Sequence, residues 1–346
     1  MCFSKQIVSW YHKNKRSLPW RNTKDPYKIW LSEIILQQTK IKQGLPYYKK
    51  FIISFPTIHD LANASENKVL NLWQGLGYYT RARNLHLTAK EISKKNDGLF
   101  PNEYKKIIKL KGVGAYTAAA IASFAFNLPF AVVDGNVIRV LSRFFGIIEP
   151  FDTVKGKKIF QKKAQELLDL NNVNIYNQSI MEFGALQCVP KSPDCAICQI
   201  KIRCFAFNHN KVTQLPIKKS KLIIKKRYIN FLIICENDNI LIQKRNNGIW
   251  KGLYQFPIIE NNIEKAEGDI SSSIEWNSLF NNNEKILKIS PIIKHKLSHQ
   301  LILARFWHIK SKHNINNNII SIAKEDIDKY PIPRLIEKYL ENNEMI

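Results

Sequence analysis

Up to about residue 215, apolar side chains recur at three- and four-residue spacing, the period of a helix with one buried face. The pattern predicts helices over 27–39, 41–54, 65–75, 82–94, 104–110, 117–126, 137–145 and 155–168. From residue 228 the texture changes to short runs rich in Ile, Leu and aromatic residues, at 228–234, 240–244 and 301–309, which predict strands. Between the two textures lies a basic stretch, Lys218-Lys219-Ser220-Lys221-Leu222-Ile223-Ile224-Lys225-Lys226-Arg227. The expected organisation is an all-α region over 1–215, a basic linker over 216–227 and an α+β domain over 228–346, and 346 residues are enough for two such domains.

Membrane and secretion classes are set aside by the same patterning. The longest apolar stretch, 118–133, is broken by Asn127 and Pro129 and falls short of the ~20 residues of a spanning helix. Residues 1–16 mix Trp10, Tyr11 and His12 with lysines and hold no continuous apolar segment of the kind a secretory signal needs. A cytoplasmic monomer without membrane association is expected, nucleoid-associated in a bacterium.

Charge alters this picture once it is placed along the chain. The net +25 divides into +18 on 1–215, where 32 basic side chains face 14 acidic ones, +6 on 216–227 and +1 on 228–346. An AT-rich coding sequence would raise lysine throughout, and the near-neutral C-terminal part rules that out as the whole cause. A basic helical region fits a polyanion such as nucleic acid.

Cys2 and Cys235 stand alone, whereas Cys188-x6-Cys195-x2-Cys198-x5-Cys204 gathers four thiols within 17 residues. Such a set can wrap one tetrahedral zinc or one [4Fe–4S] cluster. Zinc ribbons usually present two C-x2-C knuckles and only one is present here, which favours the cluster. Lys191, Lys201 and Arg203 lie among these ligands, so a metal would shape a basic loop able to meet phosphates.

Upstream, Leu110-Lys111-Gly112-Val113-Gly114-Ala115-Tyr116-Thr117 precedes an Ala-rich helical pattern, and Val132-Val133-Asp134-Gly135-Asn136-Val137 follows it. Two glycines before a helix let backbone N–H groups approach a phosphate where the helix dipole favours an anion. Asp134 reads as an N-cap, a role compatible with chemistry. Glu33 is the one carboxylate of its helix, among Ile29, Trp30, Ile34, Ile35 and Leu36. Apolar neighbours should raise its pKa, which suits a general acid holding its proton near neutrality.

The cysteine spacing, the hairpin and Asp134 together resemble the endonuclease III superfamily of helix-hairpin-helix DNA glycosylases. Over about 5–340 the chain resembles its MutY-type adenine glycosylases, through Leu18-Pro19-Trp20-Arg21, the stretch from Trp30 to Thr39, that from Gly75 to His86, and that from Asn177 to Ala185. The resemblance implies a six-helix module at about 25–130, an iron–sulfur module made of the N-terminal segment and about 131–215, one [4Fe–4S] cluster on Cys188, Cys195, Cys198 and Cys204, and a Nudix-like C-terminal domain. It further implies removal of adenine mispaired with 8-oxoguanine or guanine in double-stranded DNA.

On this resemblance Glu33 protonates N7 of adenine, and Asp134 stabilises the oxocarbenium or forms a transient covalent intermediate, with Asn136 orienting it. Trp20, Arg21 and Gln178 line the adenine pocket. Gln38 and Tyr78 intrude beside 8-oxoguanine, Gly112 and Gly114 hold phosphate, and Ser298 reads the opposite base. For Trp20 and for Tyr79, plain core aromatics are the alternative.

Three departures carry consequences. Tyr116 stands where bifunctional relatives have a Schiff-base lysine, so a monofunctional enzyme that leaves an abasic site is expected. Ile138 replaces a lysine found in some relatives, so no adventitious imine is expected there either. Leu297-Ser298-His299 replaces Phe-Ser-His, removing an aromatic wedge. No cluster of metal-binding glutamates follows Pro257, so the C-terminal domain reads as a binding module rather than a pyrophosphohydrolase. A catalytically idle iron–sulfur DNA-binding protein and a lyase acting on oxidised pyrimidines are the competing readings, opposed by Glu33 with Asp134 and by Tyr116 respectively.

Overall fold

The computed structural model describes residues 2–220, 224–280, 284–311 and 319–343. Its helices before residue 210 are α1 (Phe3–Asn14), α2 (Pro26–Leu36), α3 (Ile41–Ser54), α4 (Ile58–Asn63), α5 (Glu66–Trp73), α6 (Thr80–Asn96), α7 (Tyr104–Ile107), α8 (Ala115–Phe126), α9 (Gly135–Phe145), α10 (Val154–Glu166), α11 (Val173–Leu186) and α12 (Phe205–Asn208). Beyond them come β1 (Lys225–Glu236), β2 (Asn239–Lys244), β3 (Tyr254–Gln255), β4 (Ile258–Asn261), α13 (Glu267–Ser271), α14 (Ile274–Leu279), β5 (Lys285–Ile289), β6 (Ile293–Lys296), β7 (Gln300–Lys310), β8 (Ile319–Ala323) and α15 (Arg334–Glu341). A helical N-terminal half followed by a mixed sheet is thus the architecture that the change in periodicity predicted. The chain divides into two compact units, one of residues 2–63 and 84–220, the other of 64–83 and the described residues from 224 onward.

In the first unit α2 starts where Asp25 caps it, its carboxylate accepting from the N–H groups of Tyr27 and Lys28, with Pro26 at the first helical position. It ends at Leu36, short of the expected 39, because Gln38 turns left-handed (φ 55°). Nearly every side chain of α2 is buried, and it packs against α3 and α8. α7 ends at Ile107, short of the expected 110, the hairpin before α8 turns at Gly112 (φ 80°), and Gly114 occupies the N-cap of α8. A Cβ on Gly112 would press on the Asn84 side chain, whereas at Gly114 it would meet nothing within 4 Å.

A second core of this unit joins α1, α9, α10 and α11 through Ile7, Trp10, Val137, Leu141, Phe160, Tyr176 and Phe183. Trp10 and Phe183 meet edge to face, 5.0 Å between ring centroids. Cys188, Cys198 and Cys204 pack on the border of this core. Among the described residues no helix is long and apolar enough to cross a membrane.

In the second unit the sheet runs β3-β2-β1-β7-β5, with β4 on β1, β6 on β7 and β8 on β2. Its centre is a parallel pair, β1 with β7, in register from Lys225 opposite Gln300 to Cys235 opposite Lys310. The final three residues of the expected linker, Lys225 to Arg227, therefore already belong to β1. Alternation along β1 builds two cores: Ile229, Phe231 and Ile233 face the side of α15, while Leu232 and Ile234 face that of α14 with Trp276 and Trp307. A strand buried on both faces reads as a largely apolar run, the signal seen at 228–234, where Asn230 interrupts it and accepts from Trp307 Nε1 at 3.0 Å.

Candidate active site

A cavity of about 500 Å³ in the first unit is lined by Trp20, Arg21, Glu33, Gln38, Tyr116, Asp134, Asn136 and Gln178, side chains scattered over 160 residues of sequence. Glu33 comes from the middle of α2, Tyr116 from the first turn of α8, Asp134 and Asn136 from the start of α9, and Gln178 from α11. Trp20 and Arg21 come from a single 3₁₀ turn, Pro19–Arg21.

Glu33 is buried, and burial pushes its pKa up to about 7. The Tyr116 hydroxyl donates to its carboxyl, which opposes that rise, and the nearby Asp134 charge adds to it. Tyr116 itself is held far above the ordinary phenol range by burial and by the Glu33 and Asp134 charges, so it stays a neutral donor.

Asp134 caps α9, accepting from Val137 N–H at 2.8 Å, and Asn136 Nδ2 donates to its other oxygen at 2.7 Å. Burial raises its pKa, and these two donors hold the rise back. The structural N-cap leaves one carboxylate oxygen engaged by the helix and the other by Asn136. Arg139 Nη2 donates to Asn136 Oδ1 at 2.9 Å while its Nε donates to the Cys188 carbonyl at 2.7 Å, so the orienting amide is itself fixed. Asn177 holds the approach to Asp134: its Oδ1 accepts from Val132 N–H at 3.0 Å and its Nδ2 donates to Ser123 Oγ at 2.8 Å.

The cavity also contains a group of three, Arg16, Glu182 and Arg21, of which sequence reasoning singled out only Arg21. Glu182 is buried and takes two guanidinium groups: Arg16 Nε at 2.9 Å, and Arg21 Nη1 and Nη2 at 2.8 and 2.7 Å. Burial alone would raise its pKa, but the two arginines outweigh burial and bring it to about 2. The spacing of Gln178, Glu182 and Ala185, four and three residues apart on one helix face, is the signal that could have found it. Trp20 stacks edge to face on Tyr48 at 5.1 Å and stays partly exposed to the cavity. Gln178 is fixed by the Tyr11 hydroxyl, which donates to its Oε1 at 2.9 Å.

Other expected residues lie elsewhere. Cys188, Cys195, Cys198 and Cys204 line one narrow space, none in a disulfide, and the buried Arg143 donates to Cys188 Sγ at 3.5 Å. Among the described residues no three His, Cys, Asp or Glu side chains are set to hold a single metal ion. Gly112 and Gly114 sit at the exposed hairpin outside the cavity.

Tyr78 and Ser298 belong to the second unit, where they hydrogen-bond hydroxyl to hydroxyl and line a separate cavity of about 520 Å³ with Trp250 and Leu297. Tyr79, whose alternative was a core role, is buried at the edge of that cavity.

Residues 31–169 match the model of the HhH-GPD superfamily of base excision DNA repair proteins, and residues 230–342 that of the NUDIX domain. The chain is 43% identical to an adenine DNA glycosylase of Buchnera aphidicola subsp. Baizongia pistaciae, over 92% of this chain and 90% of the relative. The chain belongs to the adenine DNA glycosylase family. A second member, from Arabidopsis thaliana, is 32% identical over 93% of this chain. Among solved structures, a thermostable thymine-DNA glycosylase superposes with a TM-score of 0.56 at 29% identity, covering 60% of this chain and 95% of its own. An endonuclease III in a non-covalent DNA complex shares the fold of the helical part, with a TM-score of 0.52 at 20% identity. The activity of the glycosylase is base excision, and its helical half supplies the catalytic fold of that superfamily.

Proposed function

We propose that this glycosylase hydrolyses the N-glycosidic bond of adenine mispaired with 8-oxoguanine or guanine in duplex DNA, and leaves an abasic site. The observation that carries the proposal is Glu33: a buried carboxyl with its pKa near 7, facing the Asp134 carboxylate in a cavity large enough for a base. A stacked adenine is out of reach of such a recess, so the nucleotide must turn out of the helix to enter it.

In the cavity Glu33 gives its proton to N7 of adenine. The C1′–N9 bond then breaks with its electron pair passing to the base, and positive charge spreads over C1′ and the ring oxygen. Asp134, fixed by Val137 N–H and Asn136, meets that charge, either through space or by a transient bond to C1′. Water then adds to C1′ and its proton returns to Glu33. Tyr116 keeps Glu33 in place as a hydroxyl donor. It carries no amine, so no imine with the sugar forms and the strand is not cut.

Trp20, Arg21 and Gln178 border the base, and the Arg16–Glu182–Arg21 group sets their positions. The basic surface of the helical region, with the N–H groups around Gly112 and Gly114, binds phosphate. Gln38 and Tyr78 enter the duplex, and Ser298 donates to or accepts from the base opposite adenine. We assign one [4Fe–4S] cluster to Cys188, Cys195, Cys198 and Cys204. Four free thiols lining one space would suit a group held by four thiolates, and the Arg143 donor suits a thiolate. When bound, the cluster would supply a cross-link that shapes the loop carrying Lys191, Lys201 and Arg203.

The test is a labelled duplex with adenine opposite 8-oxoguanine, incubated with the enzyme and then treated or not treated with alkali. The proposal expects cleavage only after alkali, lost in Glu33→Gln. Cleavage without alkali, or full activity in the variant, would overturn it.

A further inference from the structure

Eight residues other than glycine take a left-handed backbone among the described residues: Gln38, Tyr78, Asp97, Asn127, Ser192, Asn210, Asn237 and Trp250. Five are Asp, Asn or Ser, short polar side chains that serve as turn residues, and Asp and Asn in particular visit this region at little cost. The other three are bulky, and a bulky side chain held at positive φ marks a place where the surrounding structure imposes strain for a purpose. Gln38 and Tyr78 already have such a purpose in the proposed entry into the duplex. Trp250, at φ 60°, has none assigned.

Its loop is built to hold it there. Between β2 and β3, Arg245 N–H donates to the Leu253 carbonyl at 2.8 Å and Gly252 N–H to the Arg245 carbonyl at 2.7 Å, closing the loop beneath it. Leu253 N–H donates to the Trp250 carbonyl at 3.0 Å. The indole is half-buried against the core that faces α15, and it lines the 520 Å³ cavity together with Tyr78, Leu297 and Ser298. The cavity therefore sets the Tyr78 and Ser298 hydroxyls beside an apolar Leu297 and one indole.

We infer that Trp250 is a recognition residue for the base opposite the excised adenine, supplying the aromatic face that Leu297 does not. The inference rests on the proposed reading of 8-oxoguanine by this cavity. An indole stacks on any purine, because stacking needs a π face and no particular pattern of donors and acceptors. Trp250 thus adds affinity for 8-oxoguanine and for guanine alike, while the Ser298 and Tyr78 hydroxyls tell them apart.

The experiment measures binding of the full-length protein in a Glu33→Gln background, so that adenine stays in place. Three duplexes carry adenine opposite 8-oxoguanine, opposite guanine, and opposite a tetrahydrofuran residue that has no base. Trp250→Ala is expected to weaken binding to the first two by roughly tenfold each, a typical loss for one base–aromatic stack. Binding to the third should be unchanged, and Trp250→Phe should restore most of the loss. Equal weakening on all three duplexes would overturn the inference, since a purely structural tryptophan does not sense a missing base. If Trp250→Ala fails to fold, Trp250→Leu must show the same pattern or the inference falls. Equal binding of the three duplexes by the protein with Trp250 intact would instead overturn the reading of the opposite base on which the inference rests.

Discussion

The two cavities are almost equal in size, about 500 and 520 Å³, and opposite in chemistry. Three carboxylates line the first, Glu33, Asp134 and Glu182, each displaced from its ordinary pKa in a different balance of burial and partners. No carboxylate lines the second, whose polar contacts include the hydroxyls of Tyr78 and Ser298 beside the indole of Trp250. Breaking a glycosidic bond requires groups that hold and move a proton and meet a developing cation. Reading a base requires shape, a stacking face and hydrogen bonds. The proposed function gives the first task to the cavity with the carboxylates and the second to the cavity without them.

The comparison breaks most visibly at Glu33. Glu33→Gln should lower the single-turnover rate of adenine excision by about 10²- to 10⁴-fold, the usual worth of a general acid, while DNA binding persists. In the unchanged enzyme the same rate should fall as pH rises above about 7, where the buried acid loses its proton. A rate that is flat from pH 6 to 9 would contradict this assignment.

Stability changes come next. Glu182→Gln leaves two guanidinium groups facing an amide in place of a buried carboxylate, and should destabilise the helical unit by about 3 to 5 kcal/mol. The pKa of Glu182 is depressed on folding, so its contribution is complete above pH about 4.5 and is lost as pH falls toward about 2. Thermal unfolding at pH 7 and pH 3 checks both statements.

Glu33 has the reverse sign. Its pKa is raised on folding, so the native state keeps a proton that the unfolded chain releases, and stability falls as pH rises from about 4.5 to about 7. Glu33→Gln should therefore stabilise the protein at pH 8 by about 3 kcal/mol and change little at pH 4. A variant with the same unfolding free energy as the parent at pH 8 would count against the buried, proton-holding state.

The second cavity is expected to show smaller effects. Ser298→Ala removes one hydrogen bond, about 1 kcal/mol, and should reduce the preference for 8-oxoguanine over guanine several-fold. Borohydride should trap little or no covalent complex with the enzyme, because Tyr116 and Ile138 present no amine to the sugar.

Much of this was legible in the chain because the signals are local. The apolar face of α3 matches the expected 41–54 residue for residue, and the isolation of Glu33 among Ile and Trp foretold a raised pKa. The double burial of β1 shows in the sequence as the apolar run Phe231 to Cys235. Other features depend on partners far along the sequence. α1 mixes lysines with its buried Phe3, Ile7, Trp10 and Tyr11 and shows its purpose only against α11. The strand β5 is exposed over most of its length and carries little alternation. Residues 64–83 have helical texture yet belong with the sheet, tied by Asn71 Nδ2 to the Lys329 carbonyl at 2.9 Å and by Gln74 to Ile332 N–H at 3.4 Å. Arg16 and Glu182 are 166 residues apart, and no short window joins them. The strain at Trp250 is a property of its loop closure, invisible in composition.

The most direct test of a division between chemistry and reading is a set of single-turnover excision rates on two duplexes, adenine opposite 8-oxoguanine and adenine opposite guanine, for the parent enzyme, Glu33→Gln and Ser298→Ala. The division predicts that Glu33→Gln collapses both rates together, whereas Ser298→Ala narrows the ratio between them and leaves the slower rate near its parent value. A Glu33→Gln enzyme that loses only one substrate, or a Ser298→Ala enzyme that loses both in proportion, would contradict it.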